Sequence, residues 1–245
     1  MRKLKTYQSN PVSRVVVVVN IYRMKKFIAE FIGTFALLFC GTGAIIINEQ
    51  TNGTITHVGV AMTFGLIVMA MIYSLGNISG AHLNPAVTIA FILANKFPLK
   101  EVAPYILSQT TGALAASFTL KYLFPSSLTL GATLPSGTVT QSFILELILT
   151  FILMLVIMNV ATGSKEKGLF AGIAIGATVM LEAMFAGPIC GASMNPARSL
   201  APAVASGQLQ HLWIYLIAPV FGAALAIPIW QYLKTNETID SSTLK

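Results

Sequence analysis

Two asparagines, Asn84 and Asn195, each begin the same tripeptide, Asn-Pro-Ala, inside a chain that is otherwise strongly apolar. Asparagine is a preferred helix N-cap, because its side-chain oxygen accepts hydrogen bonds from the first turn. Proline is favoured at the first helical position. The amide nitrogen of a capping asparagine remains free to donate outward. The motifs therefore predict two helix starts that each present a hydrogen-bond donor to a neutral acceptor.

The two tripeptides lie in similar ten-residue blocks, 79–88 and 190–199. Their motif residues are Asn84, Pro85, Ala86, Asn195, Pro196 and Ala197. Roughly ten apolar positions follow each motif, so each helix would rise about 15 Å, half of a bilayer core of about 30 Å. One such helix cannot span a membrane, but two that meet end to end could. Two amide donors would then face one narrow place, with the positive helix ends behind them disfavouring cations.

Three charged residues also lie in apolar surroundings, namely Glu30, Glu146 and Arg198. Ionisable side chains at membrane depth are costly and usually functional. Segment 29–35 around Glu30 parallels segment 145–151 around Glu146, so the repeat extends beyond the two short blocks. Arg198 follows Asn195 by three positions, which places both on one helix face.

The composition excludes most classes of soluble protein. The chain has 245 residues, of which 55% are hydrophobic and 9% charged, with mean hydropathy +0.77. A soluble domain has about 25% charged residues, so we predict a polytopic membrane protein. The net charge of +7 does not indicate nucleic-acid binding, because the basic residues lie in short loops and tails. We see no nucleophile–base set, metal cluster or phosphate loop, and expect no enzyme activity, cofactor or metal.

Six apolar segments are long enough to cross a bilayer as helices. They are 26–48, 55–76, 101–124, 139–161, 168–187 and 211–233. One short helix follows the second segment and the other follows the fifth. Three spans per repeat make the second repeat enter from the opposite side, which gives an inverted repeat with its site at the midplane. The predicted fold is an all-α membrane protein with six transmembrane helices, two re-entrant half-helices and an inverted 3+3 arrangement.

The predicted layout is a mobile cytoplasmic tail over residues 1–24, a membrane domain over 25–234 and a second cytoplasmic tail over 235–245. The repeats cover about 25–124 and 138–234. With the N-terminus inside, nearly all Lys and Arg residues fall on the cytoplasmic side, Lys121 and Arg198 being the exceptions. This asymmetry predicts a multi-pass protein of the cell membrane with both termini in the cytoplasm.

The paired blocks, their spacing and the Glu-bearing spans resemble the aquaporin, or major intrinsic protein, family over roughly residues 25–233. The amino-acid sequence of both blocks looks most like that of the nodulin-26-like branch and its bacterial relatives. The resemblance implies a passive channel in the lipid bilayer for water and small neutral solutes. It also implies a homotetramer in which each subunit has its own pore, and no nucleic-acid partner.

The resemblance also implies roles for individual residues. Asn84 and Asn195 would be the central donors that orient passing water and break a proton-hopping chain. Glu30 and Glu146 would brace the pore loops, and His82 would help to line the cytoplasmic approach or pack the loop. The outer constriction, here called the filter, would consist of Phe64, Ala183, Ala192 and Arg198.

The filter departs from the water-selective pattern, since water-specific members usually have a histidine at the position of Ala183. Two alanines leave space, which favours small uncharged solutes such as glycerol. Ser199, Ala203 and Tyr215 are nearer the water-channel type. A strictly water-selective channel is therefore an alternative interpretation, and so is a channel for metalloid hydroxy acids or ammonia. An ion-coupled secondary transporter is less well supported. Glu182 either faces the vestibule or pairs at a subunit interface.

Overall fold

The computed structural model describes residues 11–162 and 168–234, with side chains from residue 22 onward. Within these ranges the chain forms eight helices of nine residues or more and no strand, which confirms the predicted all-α class. The helices are α1 (Pro11–Gln50), α2 (Thr56–Ser79), α3 (Pro85–Leu93), α4 (Val102–Leu123), α5 (Val139–Ala161), α6 (Ala171–Cys190), α7 (Pro196–Ser206) and α8 (Leu212–Leu233). The short helices α3 and α7 follow the two Asn-Pro-Ala motifs, and the six long helices match the six apolar segments.

Five of the described helices are long and apolar enough to cross a membrane, namely α1 from Tyr22 onward, α2, α5, α6 and α8. Helix α4 has 22 residues, or about 33 Å of rise, but the polar run 108–111 lowers its hydropathy. Gln109 in this run is fully buried and hydrogen-bonded inside the bundle. A polar residue can lie at membrane depth when its partners are inside the protein, so α4 can serve as the sixth span.

The first helix begins earlier than the sequence predicts. It starts at Pro11 and so covers residues 11–24, which the sequence assigns to a mobile tail. Once a helix is nucleated, each added residue costs little, and proline is well suited to the first helical position. Residues 1–10 and the predicted tail 235–245 lie outside the described residues.

The packing follows the inverted repeat. In the first half α1 packs against α2 and α4, and in the second half α5 packs in the same way against α6 and α8. Each half-helix also packs against the third long helix of the other half, α7 on α4 and α3 on α8. The halves are therefore interlocked, and the two half-helices lie between them.

The seam between α2 and α6 joins the two halves through glycine. A Cβ atom at Gly65 would lie 2.5 Å from the carbonyl oxygen of Gly176, and one at Gly176 would lie 2.6 Å from that of Gly65. Only glycine permits this approach, which is how small residues bring helices together in lipid. The seam matters for the site because α2 carries Phe64 and α6 carries Ala183.

Candidate functional site

The two Asn-Pro-Ala motifs form helix starts, as their sequence predicts. Asn84 and Asn195 have extended backbones and act as N-caps, with proline at the first helical position. The Oδ1 atom of Asn84 accepts from the Ala86 N–H at 2.9 Å. The Oδ1 atom of Asn195 accepts from the N–H groups of Ala197 at 3.0 Å and Arg198 at 3.3 Å. Both helix dipoles therefore point their positive ends toward the same place.

The two caps are tied to each other across the halves. Nδ2 of Asn84 donates to the carbonyl oxygen of Met194 at 2.7 Å, and Nδ2 of Asn195 donates to that of Leu83 at 2.8 Å. The sequence predicts that each amide is free to donate outward. The structure corrects this, because one of the two N–H bonds of each amide joins the halves and one is left for a passing acceptor.

The loops that lead into the caps have matching unusual backbones. Helices α2 and α6 end at Gly80 and Gly191, with φ angles of 88° and 86°. Non-glycine residues with positive φ follow at corresponding positions: Ala81, Leu83, Ala192 and Met194. Such conformations are strained and persist only where the surroundings hold them. The loops therefore need fixed partners.

In the first half, the partner is the fully buried carboxylate of Glu30. Its Oε1 atom accepts from Ser79 Oγ at 2.7 Å and the His82 N–H at 3.0 Å. Its Oε2 atom accepts from the Leu83 N–H at 2.8 Å and Gln109 Nε2 at 2.8 Å. The carboxylate thus binds backbone and side chains around the strained loop.

In the second half, Glu146 takes the corresponding place and is also fully buried. Its Oε1 atom accepts from the Ser193 N–H at 2.7 Å, and its Oε2 atom accepts from the Met194 N–H at 2.8 Å. Ser193 and Met194 are two and one positions before Asn195, and His82 and Leu83 hold the same positions before Asn84. The same backbone contacts are therefore made in both halves.

A cavity of about 530 Å³ runs between the halves and passes both caps. The predicted site residues that line it are Phe64, His82, Asn84, Ala183, Ala192, Asn195 and Arg198. Pro85, Ala86, Pro196 and Ala197 are buried in the first turns of the half-helices. Apolar residues such as Leu37, Ile175 and Val179 line much of the remaining wall. The cavity therefore combines an apolar wall with a few convergent polar groups, as small-molecule sites do.

Arg198 lies in this cavity with only 3% of its surface exposed. Its Nη1 atom donates to the carbonyl oxygen of Gly131 at 2.8 Å. Its guanidinium carbon lies 5.1 Å from the centre of the Phe64 ring, within cation–π range. Ala183 and Ala192 also line the cavity, so all four predicted filter residues border one space.

His82 lies toward the other end of the cavity, where Lys96 also lines the wall. Its ring stacks on Phe91 at 4.6 Å between ring centres and contacts Tyr105 at 5.3 Å. Its Nδ1 atom lies 3.1 Å from Thr88 Oγ1. These contacts hold the ring in place, so His82 both lines the cavity and packs the loop.

Glu182 is buried, with 7% of its surface exposed, but it does not line the cavity. Neither of its carboxyl oxygens has a hydrogen-bond partner among the described residues. Glu182 therefore lies inside the folded chain and outside the cavity, and it does not face a vestibule.

Sequence reasoning missed several residues that complete the site. Ser79 and Gln109 donate to Glu30, and Gly131 accepts from Arg198. A buried polar residue in an apolar span is itself a signal, which could have identified Gln109. Gly131 carries no such signal, since a backbone carbonyl can come from any loop residue. In the described part of the chain, no group of three or more His, Cys, Asp or Glu side chains could hold a metal ion.

An interlocked inverted repeat around an apolar cavity with a few convergent polar groups is typical of a class of integral membrane channel proteins. The sequence matches the family model described as "Major intrinsic protein" over residues 18–230. The chain belongs to the major intrinsic protein family. Members of this family are channels and not enzymes.

The chain is similar to named relatives over most of its length. It is 47% identical over 216 residues to aquaporin NIP1-1 of Zea mays, covering 88% of this chain and 76% of that protein. It is 42% identical over 238 residues to nodulin-26 of Glycine max, covering 97% and 88%. Among solved structures, the aquaglyceroporin from Plasmodium falciparum matches with a TM-score of 0.76 and 29% identity, covering 86% of this chain and 96% of that one.

Proposed function

We propose that the cavity is the pore of a passive channel that conducts water and small uncharged solutes such as glycerol and excludes protons and other ions. The observation that carries this proposal is that one cavity is lined by both capping asparagines and by all four filter residues. The description of a solved relative as an aquaglyceroporin supports the inclusion of glycerol.

The asparagine pair would select against protons and cations. Each amide keeps one N–H bond for the path, so a passing water accepts from Asn84 and Asn195 and turns its own hydrogens away from them. A water held in this way cannot pass a proton along the file. The positive ends of α3 and α7 add a barrier to cations at the same place.

The filter would set which neutral molecules enter. Arg198 keeps donors for a hydroxyl group and repels cations, and the ring of Phe64 supplies an apolar wall beside it. Ala183 and Ala192 add little bulk, which leaves room for a carbon chain with hydroxyl groups. A histidine at position 183 would take this room and add a donor.

Glu30 and Glu146 would brace the pore rather than carry protons. Both carboxylates accept hydrogen bonds from the loops that contain the strained residues, and neither lines the cavity. Glu182 does not line it either, so none of these carboxyl groups is placed to couple an ion to solute movement. This arrangement favours a channel over an ion-coupled transporter.

The assembly and orientation belong to the same proposal. The protein would form a homotetramer in the cell membrane, with a pore in each subunit and both termini in the cytoplasm. The excess of Lys and Arg on one side of the six spans supports this orientation. The many exposed apolar side chains on the long helices support contact with lipid or with other subunits.

The test is stopped-flow flux of water and glycerol into liposomes that contain the protein or the variant Ala183→His. The histidine should lower glycerol permeability by roughly tenfold or more, equivalent to about 1.4 kcal/mol of added barrier. Water permeability should fall much less, because water is smaller than the narrowed filter. Ala103→His is the matched control, since Ala103 is exposed at the start of α4 and away from the cavity.

Water flux without glycerol flux through the unaltered protein would replace this proposal with a strictly water-selective channel. Flux that depends on a sodium or proton gradient would replace it with a coupled transporter. Equal losses of water and glycerol flux in Ala183→His would show that position 183 does not discriminate between them.

A further inference from the structure

Helix α6 contains a proline that leaves one of its own carbonyl groups without a helical partner. Pro188 lies inside α6, and proline has no N–H to donate to the carbonyl four residues earlier. That carbonyl belongs to Met184. Nε2 of His57, from the first turn of α2, lies 2.7 Å from the Met184 oxygen. Because a carbonyl can only accept, the histidine N–H donates to it.

The histidine ring is also fitted to the helix surface beside this carbonyl. A Cβ atom at Gly187 would lie 3.0 Å from Cε1 of His57, so the ring occupies the place where any larger residue would have a side chain. His57 is partly buried there. Pro188 thus leaves the Met184 carbonyl free to accept, and Gly187 leaves a notch in the helix surface. The His57 ring donates to the carbonyl and occupies the notch.

The two helices that this contact joins carry two of the four filter residues. Ala183 adjoins Met184 on α6. Phe64 lies two turns after His57 on the same face of α2, about 10 Å along the helix. Further along the seam, Gly65 and Gly176 hold the backbones close. The His57–Met184 bond therefore joins α2 and α6 at the end of the seam where Met184 adjoins the filter residue Ala183.

We propose that His57 is a positioning residue for the filter, which fixes the spacing of α2 and α6 and thereby the largest solute that passes. This inference rests on the proposed function, because it takes Phe64 and Ala183 as opposite parts of the filter wall. The contact needs only a donor at the position of Nε2, and both the neutral tautomer with hydrogen on Nε2 and the protonated ring supply it. His57 acts through Ala183 and does not itself touch the solute.

The experiment compares glycerol with the longer polyol erythritol in liposome flux assays. His57→Leu keeps an apolar side chain but removes the donor, and His57→Gln places an amide N–H where Nε2 lies. The erythritol-to-glycerol permeability ratio should rise by roughly threefold or more in His57→Leu, the scale set by loss of one hydrogen bond. The ratio should stay near that of the unaltered protein in His57→Gln. His211→Leu, at the N-terminal end of α8, is the matched control and should leave the ratio unchanged.

Each other outcome is decisive. A lower melting temperature of His57→Leu with an unchanged ratio would show that the bond only stabilises the fold and would overturn the inference. A ratio in His57→Gln equal to that in His57→Leu would show that the donor is not what matters. If the unaltered protein passes no glycerol, the solute claim fails separately, and His57 is then judged by whether glycerol begins to pass in His57→Leu but not in His57→Gln.

Discussion

The two halves of the molecule reach the same backbone geometry with different side chains around it. Both loops turn at a glycine, both contain two strained non-glycine residues, and both donate two backbone N–H groups to a buried glutamate. Within the described chain, however, Glu30 accepts four hydrogen bonds and Glu146 accepts two from protein donors. The hydrogen bonds from the loop backbone to the glutamate occur in both halves. The additional hydrogen bonds from the side chains of Ser79 and Gln109 occur in the first half.

The difference can be followed position by position. Ser79, the last residue of α2, corresponds to Cys190, the last residue of α6. Counting from the same helix ends, Met71 corresponds to Glu182. Counting from the starts of α4 and α8, Gln109 corresponds to Pro219. The second half therefore has no amide donor at the position of Gln109, has a weaker thiol donor at the position of the Ser79 hydroxyl, and carries a carboxyl group, Glu182, at the position of Met71.

Buried polar atoms without a hydrogen-bond partner occur in both halves of the described chain, and in the first half they belong to Arg23, Asn48, Gln109 and Ser117. Ser142, Glu182 and Tyr215 are buried and have side-chain oxygens without a hydrogen-bond partner among the described residues. Buried polar groups without partners cost stability. The difference between the halves therefore lies at the glutamates: Glu146 accepts fewer hydrogen bonds than Glu30, so we expect its loop to be the less tightly held one. The following substitutions test this in order of expected effect.

The largest difference should come from replacing each bracing glutamate by glutamine. Each oxygen of Glu30 accepts two bonds, so Glu30→Gln leaves two buried donors unpaired and should lower the free energy of unfolding by about 2–6 kcal/mol. Each oxygen of Glu146 accepts one, so Glu146→Gln should cost about 1–3 kcal/mol. Unfolding in mixed detergent micelles measures both. Equal costs in the two variants would contradict the difference between the halves.

A smaller effect of opposite sign is expected at Glu182. Glu182→Met gives the second half the residue that the first half has at Met71, and it removes a buried carboxyl group without a partner. Its free energy of unfolding should rise by about 1–3 kcal/mol. Met71→Leu is the matched control and should change little. A loss of stability in Glu182→Met would mean that the carboxyl group has a partner in the assembled protein.

The smallest effect should follow from giving Glu146 the hydroxyl donor that Glu30 has. Cys190 Sγ contacts the carbonyl oxygen of Ala186 at 3.5 Å, whereas Ser79 Oγ donates to Glu30 at 2.7 Å. Cys190→Ser should therefore raise the free energy of unfolding by about 0.5–1.5 kcal/mol. The reverse change, Ser79→Cys, should lower it. Stability that falls in both variants would show that the two sites are not equivalent.

The hydrophobic pattern predicts the helices well, because the length of an apolar run and its bounding polar residues depend only on neighbours in the chain. Apart from the start of α1, the ends of the six long helices lie within a few residues of the predicted segments, and the helix starts at Pro85 and Pro196 follow from their caps. The start of α1 at Pro11 differs because the apolar run 15–19 is too short to span a membrane by itself, and hydropathy alone does not show that one helix continues through it.

For the site, the sequence predicts which residues take part but not the contacts between distant segments. The resemblance named seven of the residues that line the cavity, including Phe64 and Ala183, because alignment with the family places them relative to the two motifs. The bond between Asn84 and Met194 and the contact between His57 and Met184 could not be predicted. Both depend on how two distant segments approach each other, and neither is encoded in local spacing.

Conduction as proposed here requires that the two capping asparagines meet in a water-filled path and share one passing molecule. An experimental structure at a resolution that shows ordered water tests it most directly. We expect a single file of water through the cavity, with one molecule within hydrogen-bond distance of Nδ2 of both Asn84 and Asn195. Density in which the two amides are separated, or in which their remaining N–H bonds go to protein groups and the path between them is closed, would contradict it.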